Sequence, residues 1–142
     1  WDSVKYEPGE LKAIAYKQNR KWAETYVRTT GKAVGLKAVP DKHRIKADGE
    51  DLVFVTISLV DEEGRDVPTA ENVISCSLIG DGEIVATDNG DPTCLITFSE
   101  PARPAFNGLF LAIVKAKRGG SKPIQLIVES EGLKKAVVDI AL

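Results

Sequence analysis

The stretch Leu52-Val53-Phe54-Val55-Thr56-Ile57-Ser58-Leu59-Val60 decides the fold class. β-Branched and aromatic residues crowd it, and these favour a pleated strand over a helix. Read with a period of two, Val53, Val55, Ile57 and Leu59 share one face; Leu52, Phe54, Thr56, Ser58 and Val60 share the other. Apolar residues on both sides predict a central strand with both faces largely covered. Asp61-Glu62-Glu63-Gly64 ends it as a turn.

Downstream the same grammar repeats. Residues 72–79 and 83–87 are strand segments around Gly80-Asp81-Gly82, which predicts a tight hairpin. Asp88-Asn89-Gly90-Asp91-Pro92 is a loop dense in turn formers. Leu95 to Phe98 is a short strand candidate, and Pro101 and Pro104 keep the next segment out of any central strand. In the run from Leu109 to Lys117, Leu109, Leu111 and Ile113 face one way, and Phe110, Ala112, Val114 and Ala116 the other. After Arg118-Gly119-Gly120-Ser121, Ile124, Leu126 and Val128 alternate with Gln125, Ile127 and Glu129; after Glu131-Gly132, Ala136, Val138, Ile140 and Leu142 alternate with Lys135, Val137 and Asp139. Short strands at regular spacing, with turns between them, predict an all-β antiparallel sandwich over residues 35–142.

Upstream, residues 1–34 differ. All three tyrosines and both tryptophans fall in the first 26 residues. Leu11, Ile14, Ala15, Gln18, Trp22 and Tyr26 sit near helical spacing, and Pro8 and Gly31 suit the two ends of a helix. A hairpin reads equally well: Glu10 to Lys17, a turn at Gln18-Asn19, then Arg20 to Thr29. That hairpin would set Leu11, Ala13, Ala15, Trp22, Glu24 and Tyr26 on one side, and Ile14, Tyr16, Ala23, Thr25 and Val27 on the other. The boundary with the sandwich falls between Thr29 and Pro40.

The whole chain, 142 residues with 43% hydrophobic and 28% charged residues and a net charge of -2, is sized for one domain or one domain plus a fragment. Nineteen basic against 21 acidic residues leave no cationic excess for a phosphate backbone, which argues against a nucleic-acid partner. With no run of 18 apolar residues, membrane insertion is not expected. Met is absent and the chain opens on Trp1, so a processed product or an excised piece of a larger protein is expected, and any leader is out of view.

Candidate chemistry is sparse. His43, the single histidine, stands among Asp41, Lys42 and Arg44 and reads as a solvated surface residue rather than a catalytic base. Asp48, Glu50 and Asp51, like Asp61, Glu62 and Glu63, cluster in turns, where solvation explains them better than paired-carboxylate hydrolysis does. Asp88, Asn89 and Asp91 could offer oxygens to calcium, but without EF-hand spacing Asx turns explain them. Cys76 and Cys94 have no CxxC or histidine companion, and free thiols with Cys76 buried in a strand are expected. No Walker or GxGxxG loop occurs. Neither catalytic residue, metal nor cofactor is therefore expected. Trp22 and Tyr26 remain as candidate carbohydrate-binding residues, since flat aromatic faces stack on sugar rings, with packing as the rival role.

Tyr6-Glu7-Pro8-Gly9-Glu10-Leu11-Lys12-Ala13, followed by Ala15-Tyr16-Lys17, resembles a segment near the C-terminus of bacterial family 2 glycoside hydrolases of the β-galactosidase type found in gut Bacteroidetes. Thr30-Gly31-Lys32 resembles the linker that follows there. The remainder resembles the C-terminal Ig-like domain of those enzymes, through Ile45-Lys46-Ala47-Asp48-Gly49, Val67-Pro68-Thr69-Ala70, Gly80-Asp81-Gly82-Glu83-Ile84, Asp88-Asn89-Gly90-Asp91-Pro92-Thr93, Ala105-Phe106-Asn107-Gly108 and Ser130-Glu131-Gly132-Leu133. The resemblance implies an Ig-like β-sandwich at 35–142, preceded at 1–34 by a hairpin that closes another Ig-like domain. Asn19 stands where the family usually has Gly, and neither cysteine matches a family feature. The family's catalytic acids lie on a barrel upstream of this chain, so the resemblance implies a non-catalytic accessory region. Its partners would be the other domains of a parent enzyme, with self-association through residues 1–34 possible when these are lacking. A periplasmic or extracellular location is implied by the same resemblance. A carbohydrate-binding module and an adhesin-type Ig repeat are the alternatives.

Overall fold

The computed structural model describes residues 2–142. Ten strands run in chain order: β1 (Glu10–Lys17), β2 (Arg20–Arg28), β3 (Gly35–Pro40), β4 (Leu52–Val60), β5 (Val73–Ile79), β6 (Gly82–Asp88), β7 (Ala102–Pro104), β8 (Leu109–Ala116), β9 (Ile124–Glu129) and β10 (Ala136–Ile140). They divide between two compact units, one ending at Gly31 and the other running over Lys32–Leu142.

The first unit is the hairpin β1–β2, so the helical reading of residues 10–29 gives way. Gln18 and Asn19 both take positive φ, 49° and 59°, as a two-residue turn that matches strand twist requires. The pairing starts at Lys17↔Arg20 and Tyr16↔Lys21, then jumps to Ala15↔Ala23 and continues to Glu10↔Arg28. Trp22 is the residue skipped, a β-bulge. One extra residue on one strand reverses which faces meet beyond it. The faces expected from an unbroken register are therefore corrected. Leu11, Ala13 and Ala15 lie beside Val27, Thr25 and Ala23, whereas Lys12 and Ile14 lie beside Tyr26 and Glu24.

The second unit is the sandwich. One antiparallel sheet has the order β3-β4-β8-β6, the other β10-β9-β5-β7. Their inward residues form one core: Val53, Val55, Ile57 and Leu59 from β4, Phe110, Ala112 and Val114 from β8, Ile74 from β5, and Ile124, Leu126 and Val128 from β9. Burying a side chain of this size contributes about 1.5–3 kcal/mol. Strand β4 is central as expected, but its second face is only partly covered: Ser58 is buried and Leu52 and Val60 are half-buried, whereas Phe54 is 42% exposed and Thr56 is exposed. An antiparallel sheet in a two-layer sandwich turns one face to solvent, and apolar residues there do not by themselves imply a third layer.

Two further expectations are revised. Gly80-Asp81-Gly82 does not close a hairpin, because β5 and β6 belong to different sheets. The chain instead crosses the sandwich there. Gly80, at φ 102°, passes so close to Pro123 that a Cβ would collide with its carbonyl oxygen. The crossing is pinned by Asp81, whose carboxylate accepts the Ser121 and Lys122 amides at 2.9 Å. Those amide bonds hold Asp81 below the usual carboxylate range. Residues 95–98 form no strand; they belong to a loop from Asn89 to Pro101 that wraps one side of the sandwich. The short strand after it, β7, lies at a sheet edge, where its proline, Pro104, costs no ladder bond.

The two open sides of the sandwich are closed differently. On the β3/β10 side the backbone does it: Leu36 donates to the Lys134 carbonyl, Lys134 to Val34, Ile45 to Ala141 and Ala141 to His43, all at 2.9–3.0 Å. On the β6/β7 side, side chains contribute: Arg103 Nε donates to Thr87 Oγ1, and the Asn89 side-chain amide donates to the Pro104 carbonyl.

Candidate functional site

Arg103 pairs with Ile74 across β7 and β5, and so points inward with the core. It is only 1% exposed. A guanidinium taken out of water must find acceptors, because an unpaired buried charge is costly. Arg103 Nε donates to Thr87 Oγ1 on β6 at 2.9 Å, which bridges the two sheets. Nη2 donates to the Thr97 carbonyl at 2.7 Å. Nη1 has only the Ile96 carbonyl at 3.4 Å and Cys94 Sγ at 4.0 Å. The Phe98 ring stacks over the guanidinium, 5.7 Å from centroid to Cζ. The Thr87 hydroxyl in turn donates a hydrogen bond to the Glu100 carbonyl at 2.5 Å. The 89–101 loop is thus folded around one cation.

Between this loop and Arg103 lies a cleft of about 280 Å³, lined by Asp88, Gly90, Asp91, Pro92, Cys94, Phe98 and Arg103. The Asx-turn reading of the loop agrees with the geometry. Asp88 Oδ1 accepts the Asn89 and Gly90 amides, Asn89 Oδ1 accepts the Asp91 amide, and Asp91 Oδ1 accepts both the amide and the hydroxyl of Thr93. Asn89 is further tied by its amide nitrogen to the Pro104 carbonyl at 3.0 Å. Arg103 and Phe98 were not singled out by sequence reading. The available signal was an arginine in the inward phase of a short segment between two prolines.

The other candidates lie elsewhere. Trp22 is 71% exposed, with Lys17 Nζ 5.1 Å from its ring centroid. Tyr26 is half exposed, with the Arg28 guanidinium 4.8 Å from its ring. Lys17 belongs to the Leu11–Ala15 side of the hairpin, and Tyr26 pairs with Lys12 on the opposite side. The bulge therefore separates the two rings, and they do not form the joint platform that an unbroken register gives. Around Tyr26 the charged side chains are paired: Lys12 and Lys21 with Glu24 at 2.9 and 2.6 Å, and Arg28 with Glu10 at 2.6 Å. Glu24 titrates below its ordinary range because of the two lysines, Lys21 first.

His43 is exposed. The acids of the 48–51 turn serve the backbone: Asp48 accepts the Glu50 and Asp51 amides, and Asp51 holds Lys42 at 2.5 Å and the Lys46 amide at 2.8 Å. Both carboxyls are lowered by these contacts. Among the described residues no group of three or more His, Cys, Asp or Glu is arranged to hold a metal ion.

Both cysteines are free thiols. Burial pushes the Cys76 thiol up to about 12, so it carries almost no thiolate at neutral pH. Cys94 opens onto the cleft. A maleimide added to the native protein is expected to give one adduct, on Cys94, and two after unfolding; peptide mass spectrometry reads the difference.

Comparison with known proteins adds the context. The family model described as glycoside hydrolase family 2 C-terminal domain 5 matches residues 36–139. A second model, described as a domain of unknown function, matches residues 1–23. A beta-galactosidase of Bacteroides ovatus is 38% identical over 140 residues, which is 97% of this chain and 16% of that protein. The crystal structure of a glycosyl hydrolase family 2 member from Bacteroides cellulosilyticus superposes with a TM-score of 0.92 at 28% identity, covering 97% of this chain and 19% of the other. A beta-glycosidase from Bacteroides vulgatus shares the fold, with a TM-score of 0.90 at 22% identity over 98% of this chain and 18% of its own. The chain thus spans less than a fifth of the length of these relatives. Since the C-terminal domain 5 match runs from β3 into β10, through all but the ends of the sandwich, the chain belongs to that family of glycoside hydrolase family 2 C-terminal domains.

Proposed function

We propose that the chain is a non-catalytic accessory region of a β-galactosidase-like glycoside hydrolase, periplasmic or extracellular, that packs on neighbouring domains of its parent. In this reading residues 1–34 are the closing hairpin of a preceding Ig-like domain plus a linker, and residues 35–142 are the C-terminal Ig-like domain. One observation carries the proposal. One face of the hairpin, made by Leu11, Ala13, Ala15, Ala23 and Val27 with Trp22 at its end, is apolar and exposed, Leu11 at 71% and Val27 at 69%. A two-stranded ribbon is marginal by itself in water, and such a face needs a cover. The relatives supply room for one, since most of their length lies outside the aligned region.

Two measurements test this. The purified chain should hydrolyse no nitrophenyl glycoside, whereas turnover that copurifies with it would refute the non-catalytic role. In sedimentation the chain should self-associate through the uncovered hairpin, and Trp22→Ala should weaken that association severalfold. A strictly monomeric chain would remove the argument for a covering partner. Saturable oligosaccharide binding abolished by Trp22→Ala would favour a binding module instead.

A further inference from the structure

We propose that the apolar tip of the 89–101 loop is a docking surface for the apolar hairpin face of a second copy of this chain. The proposal rests on that hairpin face being uncovered, as argued above, and names what covers it when two copies meet.

The loop has the form of a preset knob. Leu95 is 95% exposed, Phe98 63% and Ile96 38%, three apolar side chains within one short turn of chain. Their backbone is fixed from behind: the Thr97 carbonyl accepts from Arg103 Nη2 and the Phe98 carbonyl from the Thr87 amide, both at 2.7 Å. A segment ordered before contact loses little further entropy on docking. Its charge is one-sided. From Asp88 to Ala102 the acidic residues are Asp88, Asp91 and Glu100, and Lys, Arg and His are absent. Among the described residues, the ion pairs leave all three of these carboxylates out.

The hairpin offers the complement. Leu11, Ala13, Ala15 and Lys17 share one side of β1, and Arg20 lies opposite Lys17, so the apolar face ends in two cations. The hairpin's ion pairs use Lys12, Lys21 and Arg28. Among the described residues, Lys17 and Arg20 have no carboxylate partner. Lys17 leans on the Trp22 ring, which makes the apolar and cationic surfaces continuous there. Two hairpins stacked face to face would bury apolar surface but leave the cations of both copies without counter-charge. The loop brings apolar side chains and carboxylates together, and complementary charge sets register and partner choice.

The test is sedimentation velocity of the full chain and its variants over a concentration series. Leu95→Ser should weaken self-association about tenfold or more, as expected for one buried leucine. Its melting temperature should not change, because a side chain 95% exposed makes no core contact. Arg20→Gln should weaken association about two- to fivefold, and added salt should act in the same direction. An equimolar mixture of Trp22→Ala and Leu95→Ser should associate more tightly than either variant alone, because the first keeps its loop and the second its hairpin. Leu95→Ser associating as the unsubstituted chain does, or a mixture no tighter than its components, overturns the loop contact and leaves hairpin-on-hairpin packing in its place. A strictly monomeric unsubstituted chain removes the uncovered-hairpin argument itself, and this proposal with it.

Discussion

Gly108→Ala is expected to lower the stability of the sandwich by at least about 3 kcal/mol, the sum of left-handed strain and a forced shift of backbone. Asn107 and Gly108, at φ 51° and 72°, form the two-residue turn between Phe106 and Leu109, which exchange backbone hydrogen bonds at 3.0 Å. The turn is also gripped from outside, since Gly108 donates to the Ala70 carbonyl at 3.1 Å and its own carbonyl accepts from Leu59 at 3.0 Å. A methyl group here would drive into the Val67 carbonyl, 2.9 Å from its carbon and closer still to its oxygen. Nothing flexible is in the way to yield, so either β8 or the 67–70 segment must move. Gly64→Ala supplies the control. Gly64 has nearly the same φ, 75°, and open space around it, so it should lose only the left-handed penalty of about 1–2 kcal/mol. For a unit of this size the two variants should melt several degrees apart, with Gly108→Ala down by more than about 10 °C. Equal melting temperatures would mean that the turn, not the collision, sets the cost.

The sandwich was legible because its information is local. Alternation along residues 52–60, 109–116 and 124–129 grouped Val53, Val55 and Ile57, Phe110 and Val114, and Leu126 and Val128 onto common faces without any knowledge of partners, and these are the faces that the sandwich buries. What alternation cannot say is which strand lies beside which. Gly80-Asp81-Gly82 has hairpin chemistry, yet the deciding contacts come from Pro123 and from the Ser121 and Lys122 amides, about forty residues away. The hairpin was open to reading as a helix because Leu11, Ile14, Trp22 and Tyr26 satisfy both periods. Its register failed to read at one residue, Trp22, because a bulge is invisible in a pattern that presumes one-to-one pairing. Arg103 was missed for a related reason. A lone arginine is ordinarily a surface residue. Only the pairing of β7 with β5 turns it inward, and only the return of the 89–101 loop provides the acceptors that make an inward arginine tolerable.

That dependence makes Arg103 the second position where a large effect is expected. Arg103→Ala should cost about 3 kcal/mol or more, because it removes the bridge from β7 to Thr87 and leaves the Thr97 carbonyl without its 2.7 Å donor beside a void. The loss should be uneven. The β3/β10 side is held by backbone bonds that the substitution does not touch, whereas the 89–101 loop depends on the guanidinium together with its own Asx turns, the Thr87 amide and hydroxyl bonds to Phe98 and Glu100, and the Asn89 bond to Pro104. Amides from Asn89 to Glu100 should therefore exchange faster in Arg103→Ala well before the sandwich melts, and Cys94 should label faster than in the parent chain. Arg103→Met fills the void without restoring the donors, and separates packing from hydrogen bonding. If Arg103→Met recovers most of the melting temperature but not the loop protection, the guanidinium acts chiefly as the anchor of the loop. A uniform change in exchange across both sheets, or a loss below about 1 kcal/mol in Arg103→Ala, would instead show that the loop folds on its own turns and that the buried cation is incidental to it.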